Sequence, residues 1–120
     1  MFNFKSESGW SLELELECFV IYKKLENAGF PYGLQTDLCE KLANRCKMDS
    51  GTLKAKVGNF KSERGHTEPT NSSKATKYLV EQYGSLSLKE SEALLAGYKL
   101  AVEANTQQGT VVASNLAGTA

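Results

Sequence analysis

SLELELECFVIYKKLENA, residues 11–28, admits two opposite readings, and the choice between them decides the fold. Its opening LELELE alternates with period two, as a half-buried strand does. Over the full stretch, however, Leu14, Cys18, Ile21, Tyr22 and Leu25 recur at the spacing of one helical stripe. The pattern runs unbroken to Ala28, longer than a typical strand, so the reading is a helix. Leu12, Leu16, Phe19 and Val20 form a second apolar stripe on that helix. It is therefore expected to be buried on two sides, and the surplus apolar surface points to a homodimer through it. Gly29 is the expected stop, followed by the turn FPYG.

The remaining elements follow outward from this helix. Upstream, residues 1–10 are a lead-in whose Phe2, Phe4 and Trp10 are able to dock on the body. Downstream, Asp37 and Glu40 have the spacing of a capping box and predict a second helix reaching about Lys47, with Leu38, Leu42, Ala43 and Cys46 on its apolar face. A third helix is predicted from Asp49 or Ser50 to Gly65, with Leu53, Val57 and Phe60 inward. A fourth spans about Ser73–Tyr83. Ser87 and Glu90 make another capping box and open a fifth through Leu94, Leu95, Tyr98 and Val102. The expectation is a single all-α domain over residues 1–104, of about five helices with a helix-turn-helix-like centre. The small, polar residues 105–120 are expected to be a flexible tail.

The chain has 120 residues, of which 41% are hydrophobic and 23% charged, which suits one globular domain with one core. No stretch approaches a membrane span, and MFNFKSESGW lacks the apolar core of a signal peptide, so a cytoplasmic location is expected. The three cysteines, Cys18, Cys39 and Cys46, form no CxxC pair, which argues against a disulfide framework or a zinc site. The formal net charge is zero, against a general polyanion binder, but the charge is segregated. Residues 41–77 hold 9 basic and 3 acidic side chains, while residues 1–40 hold 3 basic and 7 acidic.

Catalytic chemistry finds little equipment. The single histidine, His66, falls in a polar loop and reads as a solvated surface residue. Glu13, Glu15 and Glu17 cannot all share one helical face and read as a solvated acidic flank. There is no phosphate-cradling glycine loop, HExxH or EF-hand motif. The domain reads as non-catalytic and without a cofactor. Residues 37–64 stand out instead, as two short helices joined by Lys47–Asp49. With Leu53, Val57 and Phe60 inward, the third helix presents Lys54, Lys56 and Lys61 to phosphates. Arg45, Lys47 and Arg64 flank them, and Ser50, Thr52 and Asn59 lie near bases or sugar–phosphate. Asn59 has an equal alternative, fixing backbone at the helix end. The free amides at Ser50, Gly51 and Thr52 add a possible phosphate site. Duplex DNA is the expected partner.

The same residues resemble the helical N-terminal domains attached to HNH-type restriction endonucleases, including those that restrict modified DNA. The similarity lies in Arg45, Ser50 with Thr52, Lys56 and Asn59 of RCKMDSGTLKAKVGNF. It extends upstream to WSLELELECFVIYKKLENAG and downstream to NSSKATKYLVEQY, over residues 10–95. The HNH module itself is absent. The resemblance implies the DNA-reading half of such a system without its cutting half. The alternative is a helical self-associating interaction module with no nucleic acid partner, such as an accessory protein of a mobile element.

Overall fold

The structure, a computed structural model, describes Phe4 and residues 8–119, those from 106 on by their backbone alone. It is all-α: α1 (Leu12–Ala28), α2 (Leu34–Ala43), α3 (Ser50–Glu63), α4 (Lys74–Tyr83) and α5 (Leu88–Thr119), with no strand among the described residues. α5 runs on to Thr119, into the expected tail; its side chains are described to Asn105, and Phe2 of the lead-in lies outside the described residues.

The helix reading of residues 11–28 holds because both stripes find cover in the chain itself. Ser11 caps α1, its Oγ accepting from the Leu14 amide at 3.1 Å. α1 then packs against α2, α3, α4 and α5 and forms the axis of the bundle. Phe19 and Tyr22 are fully buried, with the Phe60 ring of α3 at 5.5 and 6.4 Å. Leu12 and Leu16 face α4 and α5 across a groove shared with Tyr78, Tyr83, Leu94 and Tyr98. The surplus apolar surface from which a homodimer through α1 was expected is thereby taken up inside the chain. Leu16, Phe19 and Val20 are each at most 5% exposed within one chain, so the second stripe is an intramolecular seam.

Polar groups are buried on α1 too. Glu15 (1% exposed) pairs with Lys56 of α3 at 2.6 Å, and Thr76 Oγ1 donates to the same carboxylate at 3.1 Å. Lys56 Nζ also donates to Ser73 and Thr76, and it sits 4.5 Å from the centre of the Trp10 ring. Ser73 is the N-cap of α4, so one ion pair ties α1, α3, the start of α4 and the lead-in together. Lys23, 2% exposed, donates to the Gly84 carbonyl at 2.6 Å and pairs with Glu26 at 3.0 Å.

Two boundaries differ from expectation, and both lie around α2. The helix begins at Leu34 rather than Asp37, because the Asp37 amide already bonds to the Gly33 carbonyl at 3.0 Å. Asp37 is thus a first-turn residue, where its charge complements the helix dipole. α2 also ends at Ala43, which makes the α2–α3 connection residues 44–49, longer than the turn of a helix-turn-helix unit. α3 packs on α1, α2 and α4, so it is enclosed rather than projecting as a recognition helix does. The other caps follow the sequence. Asp49 accepts from the Thr52 amide at 2.7 Å, and Ser87 and Glu90 bond reciprocally at 2.8 and 3.1 Å.

Candidate nucleic-acid interface

Segregated charge predicts a positive surface over residues 45–64, but the structure divides those cations into two sets. The first set neutralises α1. Lys56 is buried on Glu15, Arg45 pairs with Glu17 at 3.0 Å, and Arg64 approaches Glu26 at 3.6 Å. Lys99 of α5 joins them on Glu17 at 3.4 Å. Glu15 and Glu17, read from the sequence as a solvated flank, are in fact the acidic seam on which these cations close. Lys56 is thereby removed from any phosphate role, since it is 8% exposed with its donors engaged.

The polar residues expected near bases are also committed. Thr52 gives both its amide and its hydroxyl to Asp49. These hydrogen bonds hold the Asp49 carboxyl below its ordinary range, so the amides at the start of α3 face a carboxylate of the chain itself. Asn59 accepts from Thr70 Oγ1 at 2.9 Å, and Ser62 Oγ accepts from the Thr70 amide at 3.2 Å. Asn59 therefore holds the 66–72 loop through the Thr70 hydroxyl, rather than backbone at the helix end. Ser50 is half-buried at the first position of α3.

His66 is not simply solvated. Its Nε2 lies 2.9 Å from the Tyr22 hydroxyl, and its ring sits tilted against Phe30, the centroids 4.8 Å apart. Tyr22 donates to Glu26 at 2.7 Å; burial and that carboxylate raise the phenol above its usual range. Partial burial alone pulls the Glu26 carboxyl upward. The hydrogen bonds from Tyr22 and Lys23 outweigh it and hold Glu26 below its ordinary value. Burial pushes the Cys39 thiol up to about 11 and raises Cys18 further, so neither carries thiolate at neutral pH.

The second set of cations is Lys47, Lys54 and Lys61, none of which is paired with a carboxylate among the described residues. Lys47 is exposed in the α2–α3 connection. Lys54 and Lys61, seven residues apart on α3, flank a cleft of about 390 Å³ opened by the turn between α1 and α2. Gln35 organises that wall, donating to the Lys54 carbonyl at 3.1 Å and accepting from Lys61 Nζ at 3.2 Å. The opposite wall is the Phe30–Gly33 turn. Phe30 itself adopts φ 56°, a left-handed conformation unusual for a side chain of that size, and Gly33 lies at φ 87°. Ring contacts with Tyr22 and His66 hold Phe30 there. Sequence reasoning missed Phe30, Tyr32 and Gln35. The available signal was FPYGLQ beside a pair of lysines seven apart, but nothing in the sequence placed that turn against α3.

No family model, curated protein or solved structure matches this chain.

Proposed function

We propose that this domain is a non-catalytic duplex-DNA-binding module that grips the phosphate backbone along the α2–α3 edge. On the resemblance of residues 10–95, it serves as the reading half of a restriction-type or mobile-element system. The carrying observation is the division of the cations of residues 45–64: Arg45, Lys56 and Arg64 are spent on the carboxylates of α1, whereas Lys47, Lys54 and Lys61 pair with no carboxylate among the described residues, and Lys54 with Lys61 borders one cleft. A lysine already paired with a carboxylate releases few counterions on meeting a phosphate, whereas an unpaired one contributes fully. Three such lysines correspond to a salt slope of roughly −2.7, the range of weak backbone binding. With Thr52 and Asn59 engaged inside the protein, discrimination rests on DNA shape more than on base edges.

The test is a salt titration of duplex binding. Lys54→Ala with Lys61→Ala is expected to flatten the slope by roughly 1.8. Lys77→Ala with Lys89→Ala, two exposed lysines outside the edge, is the control. Absence of any complex at micromolar protein and about 50 mM salt overturns the proposal. So does an equal loss in the control.

The interaction-module reading has its own supporting observation, now located on α5 rather than α1. The groove among α1, α4 and α5, about 440 Å³, is walled by Leu12, Leu16, Tyr78, Tyr83, Leu94 and Tyr98, and Leu100 is 67% exposed on the same helix. Failure of DNA binding together with self-association in light scattering favours that reading.

A further inference from the structure

The cleft beside Lys54 and Lys61 carries more than a backbone contact needs. Its volume, about 390 Å³, falls within the range of small-ligand sites. Lys61 is held in place from two directions, by the Gln35 carbonyl at 3.2 Å and over the Phe30 ring at 5.6 Å. An ammonium group has three donors, so Lys61 keeps others for an oxyanion. Lys54 stands one turn pair away on the same wall, its backbone fixed by Gln35. On the rim, Tyr32 is wholly exposed at the tip of a turn set by two left-handed residues, Phe30 and Gly33. A tyrosine ring displayed to water with no packing role is an available stacking surface. Neither Glu26 nor Asp37, the acids next in sequence to its lining, lines the cleft.

We infer that this cleft takes one unpaired nucleotide of a nucleic-acid strand, with its phosphate on Lys54 and Lys61 and its base on the Tyr32 ring. The inference rests on the nucleic-acid reading of this edge but is separable from it. Paired bases of a duplex are stacked inside the helix, so a duplex reaches the lysines and leaves Tyr32 unused.

The experiment compares a single strand of about eight nucleotides with the matching duplex, by fluorescence anisotropy at low salt. Tyr32→Ala is expected to weaken single-strand binding about five-fold or more, the lower end of what one stacked base contributes. Duplex binding should stay within about two-fold. Lys61→Gln should weaken both. Tyr32 touches no core, so circular dichroism of the variant should match the parent. Thymidine monophosphate should displace the strand at concentrations where inorganic phosphate does not, whereas equal displacement by phosphate overturns the base contact. An unchanged single-strand affinity in Tyr32→Ala, with the Lys54 and Lys61 effect on duplex intact, overturns the inference and leaves the duplex proposal standing. Tyr32-dependent single-strand binding without a duplex complex keeps the inference and removes the duplex proposal.

Discussion

The two faces of α3 use the same residue type in opposite ways. On the face toward α1 and α4, Lys56 is buried against Glu15, Ser73, Thr76 and Trp10. On the face toward the α1–α2 turn, Lys54 and Lys61 are half-buried, paired with no carboxylate among the described residues, and border open space. A helical wheel distinguishes the two only by angle. What separates them physically is desolvation: a buried ammonium needs a carboxylate and further acceptors, and Lys56 has all of them. The difference shows that positive charge in a sequence segment counts cations but not vacancies for an anionic ligand.

The sharpest way to break the comparison is to remove Lys56. Lys56→Ala leaves Glu15 as an uncompensated buried charge and is expected to cost about 3–5 kcal/mol. For a chain of this length that lowers Tm by roughly 10–20 °C in a thermal melt. Replacing both partners, Lys56→Met with Glu15→Leu, should recover much of the loss, because an apolar pair of similar volume has no charge to desolvate. If Lys56→Ala melts like the parent, the buried pair has no structural role, and Lys56 returns to the list of ligand contacts.

A middle-sized effect should come from Glu26. Its folded-state carboxyl titrates below the ordinary value near 4.5, which makes the folded state the weaker proton binder. The associated stability is therefore present above about pH 4.5 and is lost as the pH falls toward the folded value. Glu26→Gln should lower stability by about 1 kcal/mol at pH 7, given partial exposure of the pair network. It should also shrink the loss seen between pH 7 and pH 3.5 in urea titrations. An unchanged pH dependence in the variant refutes the assignment.

Arg45 should show the smallest effect. Its side chain is 60% exposed and pairs with Glu17 at the surface, so Arg45→Ala should change stability by less than about 1 kcal/mol. It should also alter the salt slope of DNA binding less than Lys54→Ala does, because its charge is already shared with Glu17. A larger loss of binding from Arg45→Ala would show that the surface pair opens to the ligand, and the division of the cations would then be too strict.

The legibility of the site varied with the kind of argument. Caps read well at Asp49, Ser87 and Glu90, each acting through a bond spanning three residues, while Ser11 and Ser73, taken only as helix starts, turn out to cap in the same way. Inward residues read well too: Leu53, Val57 and Phe60 are fully buried. The start of α2 misled because Asp37 and Glu40 satisfy the capping-box pattern, while the preceding turn had already begun the helix from Gly33. Among the proposed DNA contacts, Arg45, Lys56 and Arg64 face carboxylates of α1 that lie 28 to 41 residues earlier, and no local pattern reports that.

Local sequence, then, determined the helical class, the two-sided burial of α1, most of the caps and the inward face of α3. Each depends on interactions within about one or two turns, where spacing alone dictates which groups meet. Tertiary structure decided which partner covers the second stripe of α1, which cations are neutralised, and that Phe30, Tyr32 and Gln35 open a cleft beside Lys54 and Lys61. Those outcomes depend on how distant helices dock, and docking answers to the desolvation of whole surfaces rather than to the spacing of neighbours along the chain.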